Sequence, residues 1–145
     1  MRRRTVLTTV VATGTLAGCV SQLPGISAPG FRLGSIVLEN ATVEARTVDI
    51  RLLRNGEHAF NGLFDLDPGD ENIIHSEWSS EPAEYLVDCV FSGDDQLRTF
   101  TLHERHDVGG ACNVFQIRIS DSPNEFESYI FDIADVEAEW PGVRC

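Results

Sequence analysis

The sequence predicts an all-β fold: an antiparallel β-sandwich of about eight strands that follows an N-terminal signal peptide. Three observations carry that expectation. From Phe31 onward apolar and polar residues alternate with period two. Turn-forming clusters of Gly, Pro, Asn and Asp return at intervals of roughly ten residues. Beyond the leader, no segment shows a convincing apolar stripe at helical spacing. Two sheets of such strands can bury Val, Ile, Leu and Phe between inner faces about 10 Å apart.

The leader comes first in the chain. Arg2, Arg3 and Arg4 form a positive cluster, and Val6 to Ala17 is apolar apart from four threonines and Gly14. A bilayer span takes about 20 apolar residues, so this stretch is too short to cross and suits an export signal instead. Small residues then lead to a cysteine, Leu16-Ala17-Gly18-Cys19. A peptidase cleft accepts small side chains at the scissile bond, and a thiol just beyond it can take a thioether lipid. The stretch resembles a lipoprotein signal, and Arg3-Arg4 before Thr5-Val6-Leu7 resembles a twin-arginine export signal. The expected layout is a signal peptide over 1–18, removed, a flexible tether over 19–33 and one domain over 34–145. The tether is expected from the Pro-Gly pairs and serines of "VSQLPGISAPG", Val20 to Gly30.

The strands follow in order. Ser35–Asn40 is the first. Arg46–Arg54 turns Val48, Ile50 and Leu52 inward against Asp49 and Arg51. Asn55-Gly56 is a two-residue hairpin signal, because a type I′ turn needs positive φ at both positions. Glu57–Leu66 is its partner, with Phe60, Phe64 and Leu66 on one face and a bulge expected at Gly62. Asp67-Pro68-Gly69-Asp70 is a turn. Glu71–Trp78, Glu84–Ser92, Gln96–His103, Cys112–Ser120 and Phe126–Ala134 complete the set. Asp135–Cys145 is an acidic tail with no assignable pattern.

Composition bounds the partners. The chain has 23 acidic and 11 basic residues, every basic one an arginine, for a formal charge of −12. Losing the three leader arginines takes it to −15. Such a surface repels nucleic acid and anionic lipid heads, and its self-repulsion weakens the compact state unless salt screens it. With Cys19 assigned to lipid, Cys89, Cys112 and Cys145 can form at most one bridge. Cys89 shares a strand face with Tyr85, Val87 and Phe91, which suits a buried free thiol. Cys112–Cys145 is the favoured pair and Cys89–Cys112 its rival.

Lysine avoidance with an acid excess resembles haloarchaeal proteins, which implies that the acidic surface serves solvation and not binding. "LENATVEARTVDIRLLRNGE" (Leu38–Glu57), "DLDPGD" (Asp65–Asp70), "WSSEPAEYLVDCV" (Trp78–Val90), "LRTFTL" (Leu97–Leu102) and "CNVFQIRI" (Cys112–Ile119) resemble Ig-like sandwich domains of haloarchaeal exported lipoproteins. The likeness spans most of residues 35–134. It rests on strand and turn signatures, so it implies a fold and a location, not an activity.

Chemistry is sparse. His103 and His106 lie three apart past a strand end and are weak zinc candidates, since the metalloprotease spacing is four on a helix. A blue-copper site would need a histidine after Cys112 and a methionine, and the only methionine is Met1. Asp65, Asp67, Asp70 and Glu71 offer oxygens, yet Gly69 falls where an EF-hand-type loop needs its third ligand. No Gly-x-Ser-x-Gly or triad order is present. Asn40-Ala41-Thr42 is a glycosylation sequon. No cofactor and no catalytic role are expected. The expectation is a non-enzymatic module, held to the outer face of the cell membrane by lipid on Cys19, binding a cell-surface protein or glycan. The alternative is a metal- or small-ligand carrier.

Overall fold

The computed structural model describes residues 30–91, 97–103, 106, 112–121 and 126–145. The leader with Arg3 and Arg4, Cys19, most of the tether, and the expected turns at 93–95 and 122–125 lie outside the described residues. Within them the chain runs β1 (Leu33–Asn40), β2 (Arg46–Arg54), β3 (Glu57–Leu66), β4 (Glu71–Ile74), β5 (Tyr85–Phe91), β6 (Arg98–Leu102), β7 (Asn113–Ile119), β8 (Phe126–Asp132) and a single helical turn, α1 (Ile133–Val136). The strands form two four-stranded sheets, β4-β1-β7-β8 (sheet I) and β3-β2-β5-β6 (sheet II). The molecule is a β-sandwich.

Local chemistry explains the hairpins. Asn55 and Gly56 have φ of 51° and 80°, so both central positions of the β2–β3 turn are left-handed, as a type I′ turn demands. Gly69 at φ 81° closes the β3–β4 turn, where the Asp70 N–H donates to the Asp67 carbonyl. Alternation does the rest. Val48, Ile50 and Leu52 of β2 and Tyr85, Val87, Cys89 and Phe91 of β5 point into the sandwich. They meet Ile36 and Leu38 of β1 and Phe115, Ile117 and Ile119 of β7. Trp78 closes one end of this core, donating its indole N–H to the Leu33 carbonyl at 2.9 Å.

Five expectations change, the first being the strand Glu71–Trp78: only β4, Glu71–Ile74, is paired, and the chain beyond it leaves the sheet to carry Trp78 into the core. β1 and β7 are central neighbours and pair in parallel, whereas the other pairings are antiparallel. Hairpins force antiparallel pairing only on consecutive strands, and these two are joined through the other sheet. The irregularity in β3 falls at Ala59, which has no partner between Leu52↔Phe60 and Leu53↔His58, while Gly62 sits in register opposite Ile50. Gly62 serves packing: a Cβ there would lie 2.9 Å from the Phe64 ring and 3.0 Å from Phe60. The expected tether also ends earlier. Phe31 and Leu33 are fully buried, and Phe31 exchanges two backbone hydrogen bonds with Ala83. Finally, the last strand stops at Asp132, whose carboxylate caps α1 by accepting from the Ala134 N–H at 2.9 Å.

Candidate functional site

The two outer faces of the sandwich are built differently. On sheet I, the outward side chains Val37, Ile73, Val114 and Phe131 form a second apolar cluster with Ile133, Val136, Trp140 and Val143. The acidic segment after β8 thus folds back as a cover. Trp140 is 3 % exposed, packs edge-on to Phe131 with ring centroids 5.6 Å apart, and donates its indole N–H to Glu71 Oε2 at 3.1 Å. Three features hold the cover down. Cys112 and Cys145 are disulfide-bonded, with Cα atoms 5.8 Å apart. The Ser35 hydroxyl donates to the Arg144 carbonyl and accepts from the Arg144 N–H, each at 3.1 Å. Gly34 lets the backbones meet: a Cβ there would lie 2.6 Å from the Arg144 carbonyl oxygen and 2.7 Å from Cys112 Sγ.

Beside the cover, sheet I presents a charged row. Glu39 takes the Gln116 amide at 2.8 Å and the Arg118 guanidinium at 3.4 Å. Burial pushes its pKa above the usual carboxylate value, against the pull of Arg118, and Glu71, Glu139 and Glu127 push it further. The Tyr129 hydroxyl donates to Glu127 at 3.0 Å, a bond that raises its own pKa.

Sheet II carries no such cover among the described residues. Its outer face centres on Asp88, whose carboxylate accepts from Arg51 Nε at 3.1 Å, from Arg51 Nη2 and from the Thr99 hydroxyl at 2.7 Å. Asp88 is buried by its neighbours, while about half of the Arg51 side chain is exposed. A hollow of about 380 Å³ lies over this group, lined by Asp49, Arg51, Asp88, Val90 and Leu97. Leu63 and Leu97 stand beside it at 69 % and 55 % exposure. Leu97 lines the hollow and Leu63 lies opposite Asp49 in the β2–β3 register.

A second hollow, about 410 Å³, opens along the seam between β6 and β8. Phe100, Phe115, Leu102 and Ile130 make its apolar wall, and Thr101, Ser128 and His106 its polar one. The sequence's metal candidates meet here. The His103 and His106 rings lie 4.4 Å apart, with His106 Nδ1 accepting from the His103 N–H at 3.4 Å. Among the described residues no third His, Cys, Asp or Glu joins them in a group that could hold a metal ion. The acidic turn is likewise committed elsewhere: Asp65 accepts from the Thr47 hydroxyl at 2.6 Å, Asp70 from the Asp67 N–H at 3.0 Å, and Glu71 from Trp140.

Asn40 is a structural post and not a surface acceptor. It is fully buried. Its amide donates to the carbonyls of Glu44, Leu66 and Asp67 at 2.8, 3.0 and 3.1 Å, and its Oδ1 accepts from the Thr42 N–H and hydroxyl. A glycan on that nitrogen would displace the carbonyls it satisfies, so the folded domain cannot present this sequon. Cys89 is a free, buried thiol pushed up to about 12, chiefly by burial, with Asp88 and Asp49 adding to the shift. It is protonated and inert at neutral pH. No protein-family model matches the chain, and no curated protein or solved structure matches it either.

Proposed function

We propose that this chain is a lipid-anchored surface module: exported through its Arg3-Arg4 leader, lipidated on Cys19, and carrying an Ig-like sandwich adapted to high salt. Its role is to bind a cell-surface protein or glycan without catalysis. The observation that carries the exported reading is the Cys112–Cys145 disulfide, because such bonds persist in oxidising compartments and are rare in a reducing cytosol. A leader that ends in a lipid-ready cysteine points the same way. The acidic, lysine-free surface supports the halophilic part, since molar salt shortens the Debye length to about 3 Å and quenches self-repulsion. The open hollow at Asp49, Arg51, Asp88, Val90 and Leu97 supports the binding part.

Cell fractionation tests the anchor. The wild-type protein partitions with membranes and is reached by protease added to intact cells, and Cys19→Ser moves it to the medium. Wild-type protein recovered in the cytosol with its leader attached ends this reading. Crosslinking on intact cells, read by mass spectrometry, then tests binding: a reproducible neighbour is expected, and its loss is expected in Leu97→Arg.

A further inference from the structure

The four sheet edges are not equally protected against pairing with another strand. β3 is broken by the Ala59 irregularity and carries Glu57, His58 and Asp65. β4 is only four residues long. β6 has five. β8 is seven residues long, keeps an unbroken register with β7 from Asn113↔Asp132 to Ile119↔Phe126, and contains no proline, glycine or basic residue. Proteins normally blunt a long edge with a bulge, a proline or charges; β8 has no bulge and no proline, and its two carboxylates are Glu127 and the terminal Asp132, which caps α1. Among the described residues no strand pairs with its outer side.

The backbone phase of that edge follows from one bond. The Ile133 N–H donates to the Cys112 carbonyl at 3.0 Å, one step beyond the Asn113↔Asp132 pair. Alternation from that point aims the N–H and C=O of Phe131 and Tyr129 at β7, and those of Ile130 and Ser128 outward. Ser128 is exposed, and with Ile130 it lines the 410 Å³ seam.

We infer that β8 pairs with the β8 of a second copy of this chain, antiparallel about Tyr129, joining two sheets I into one continuous sheet. The occupant is argued from self-complementarity. In that register Ser128 lies opposite Ile130, so the outward-facing backbone groups of each strand meet those of the other. Glu127 falls opposite Phe131 and Phe126 opposite Asp132, so no like charges face each other directly. Tyr129 meets Tyr129, and each ring already stacks on its own Phe131 at 6.1 Å, which gives four aromatic rings across the twofold axis. The half-exposed Tyr129 thereby gains a partner. A two-strand contact is small beside the roughly 1,200 Å² or more of a stable interface, so the dimer is weak and concentration-dependent. Mutual repulsion makes it stronger in molar salt than in dilute salt. This inference does not depend on the lipid anchor.

Sedimentation velocity on the full chain carrying Cys19→Ser, from micromolar to millimolar in molar salt, reads the association. Dimer is expected to grow with concentration. Ser128→Pro removes an outward N–H without touching the β7 ladder, so it is expected to weaken association at least tenfold while far-UV circular dichroism stays unchanged. Tyr129→Cys reads the register independently: residues opposed at the axis sit about 4.5 Å apart at Cα, within disulfide reach. Mild oxidation is expected to give a covalent dimer for Tyr129→Cys and none for Glu127→Cys. A monomer at every concentration with no Tyr129→Cys crosslink overturns the inference. So does a dimer that Ser128→Pro leaves intact and Tyr129→Cys fails to crosslink.

Discussion

The outer faces of the two sheets share a strand architecture and meet different fates. Sheet I turns Val37, Val114, Phe131 and Ile73 outward, and the chain returns to bury them under Val136, Trp140 and Val143. Sheet II turns Asp49, Arg51, Asp88 and Thr99 outward, where no described residue covers them and Asp88 is buried only by its neighbours on that face. The difference lies in the outward residues. An apolar row must be covered, and covering it contributes about 25 cal/mol per Å² of apolar area. A row of paired charges and hydroxyls is already satisfied, so a cover there would cost desolvation without an apolar return. The covered face is thus part of what holds the domain together, and the exposed apolar residues of the other face are where substitutions should be silent for stability.

The strongest way to break this comparison is Trp140→Ala. It empties the centre of the cover and removes the bond to Glu71, so about 3–5 kcal/mol of stability should be lost in denaturant melts at molar salt. A loss under 1 kcal/mol would mean that the cover is ornamental. Next, replacing both Cys112 and Cys145 by Ser opens a link spanning 33 residues. Chain entropy puts the expected loss at about 2–4 kcal/mol, with faster amide exchange at Val143 and Arg144 as the local sign. Gly34→Ala should cost about 1–3 kcal/mol, because its Cβ would strike the Arg144 carbonyl and the Cys112 sulfur and neither can move without lifting the cover.

On the other side of the comparison, the core beneath sheet II sets an alkaline limit. Cys89 has a folded pKa raised from 9.0 to about 12. A folded pKa above the unfolded one favours the protonated thiol, so its contribution is fully present below about pH 9 and is lost as pH rises toward 12. Cys89→Ala should therefore weaken the domain at pH 7 but flatten its decline between pH 9 and 11. An equal decline in both proteins would rule out the thiol as the cause. The smallest effect belongs to the open face: Leu97→Ser and Leu63→Ser should shift stability by no more than about 0.5 kcal/mol. A larger loss from either would show that sheet II has a cover after all.

Much of the fold was legible beforehand, and particular residues show why. Val48, Ile50 and Leu52 alternate with Asp49 and Arg51, and only an extended strand puts those two sets on opposite faces. Asn55-Gly56 names its own turn, since each residue tolerates the backbone it must adopt. The cover was not legible. "VEAEWPGVRC" has no period, because its apolar residues answer to Val37 and Val114, far away in sequence, and not to one another. Its one advance signal was the favoured Cys112–Cys145 pair, which pins the end of the tail to the start of β7. Asn40 misled for a related reason. The sequon is a local pattern, and whether its amide is free depends on carbonyls delivered by Leu66 and Asp67.

The sequence by itself determined where the eight strands lie, the inward faces of most of them and the β2–β3 hairpin, because pleat and turn preference act within a few residues. Only the tertiary structure decided that β1 lies parallel to β7, that Cys112 takes its favoured partner Cys145 and not Cys89, and that the described residues cover one outer face and not the other. Those outcomes depend on which distant surfaces find each other, and the return on burying apolar area is realised only after the chain has closed its loops.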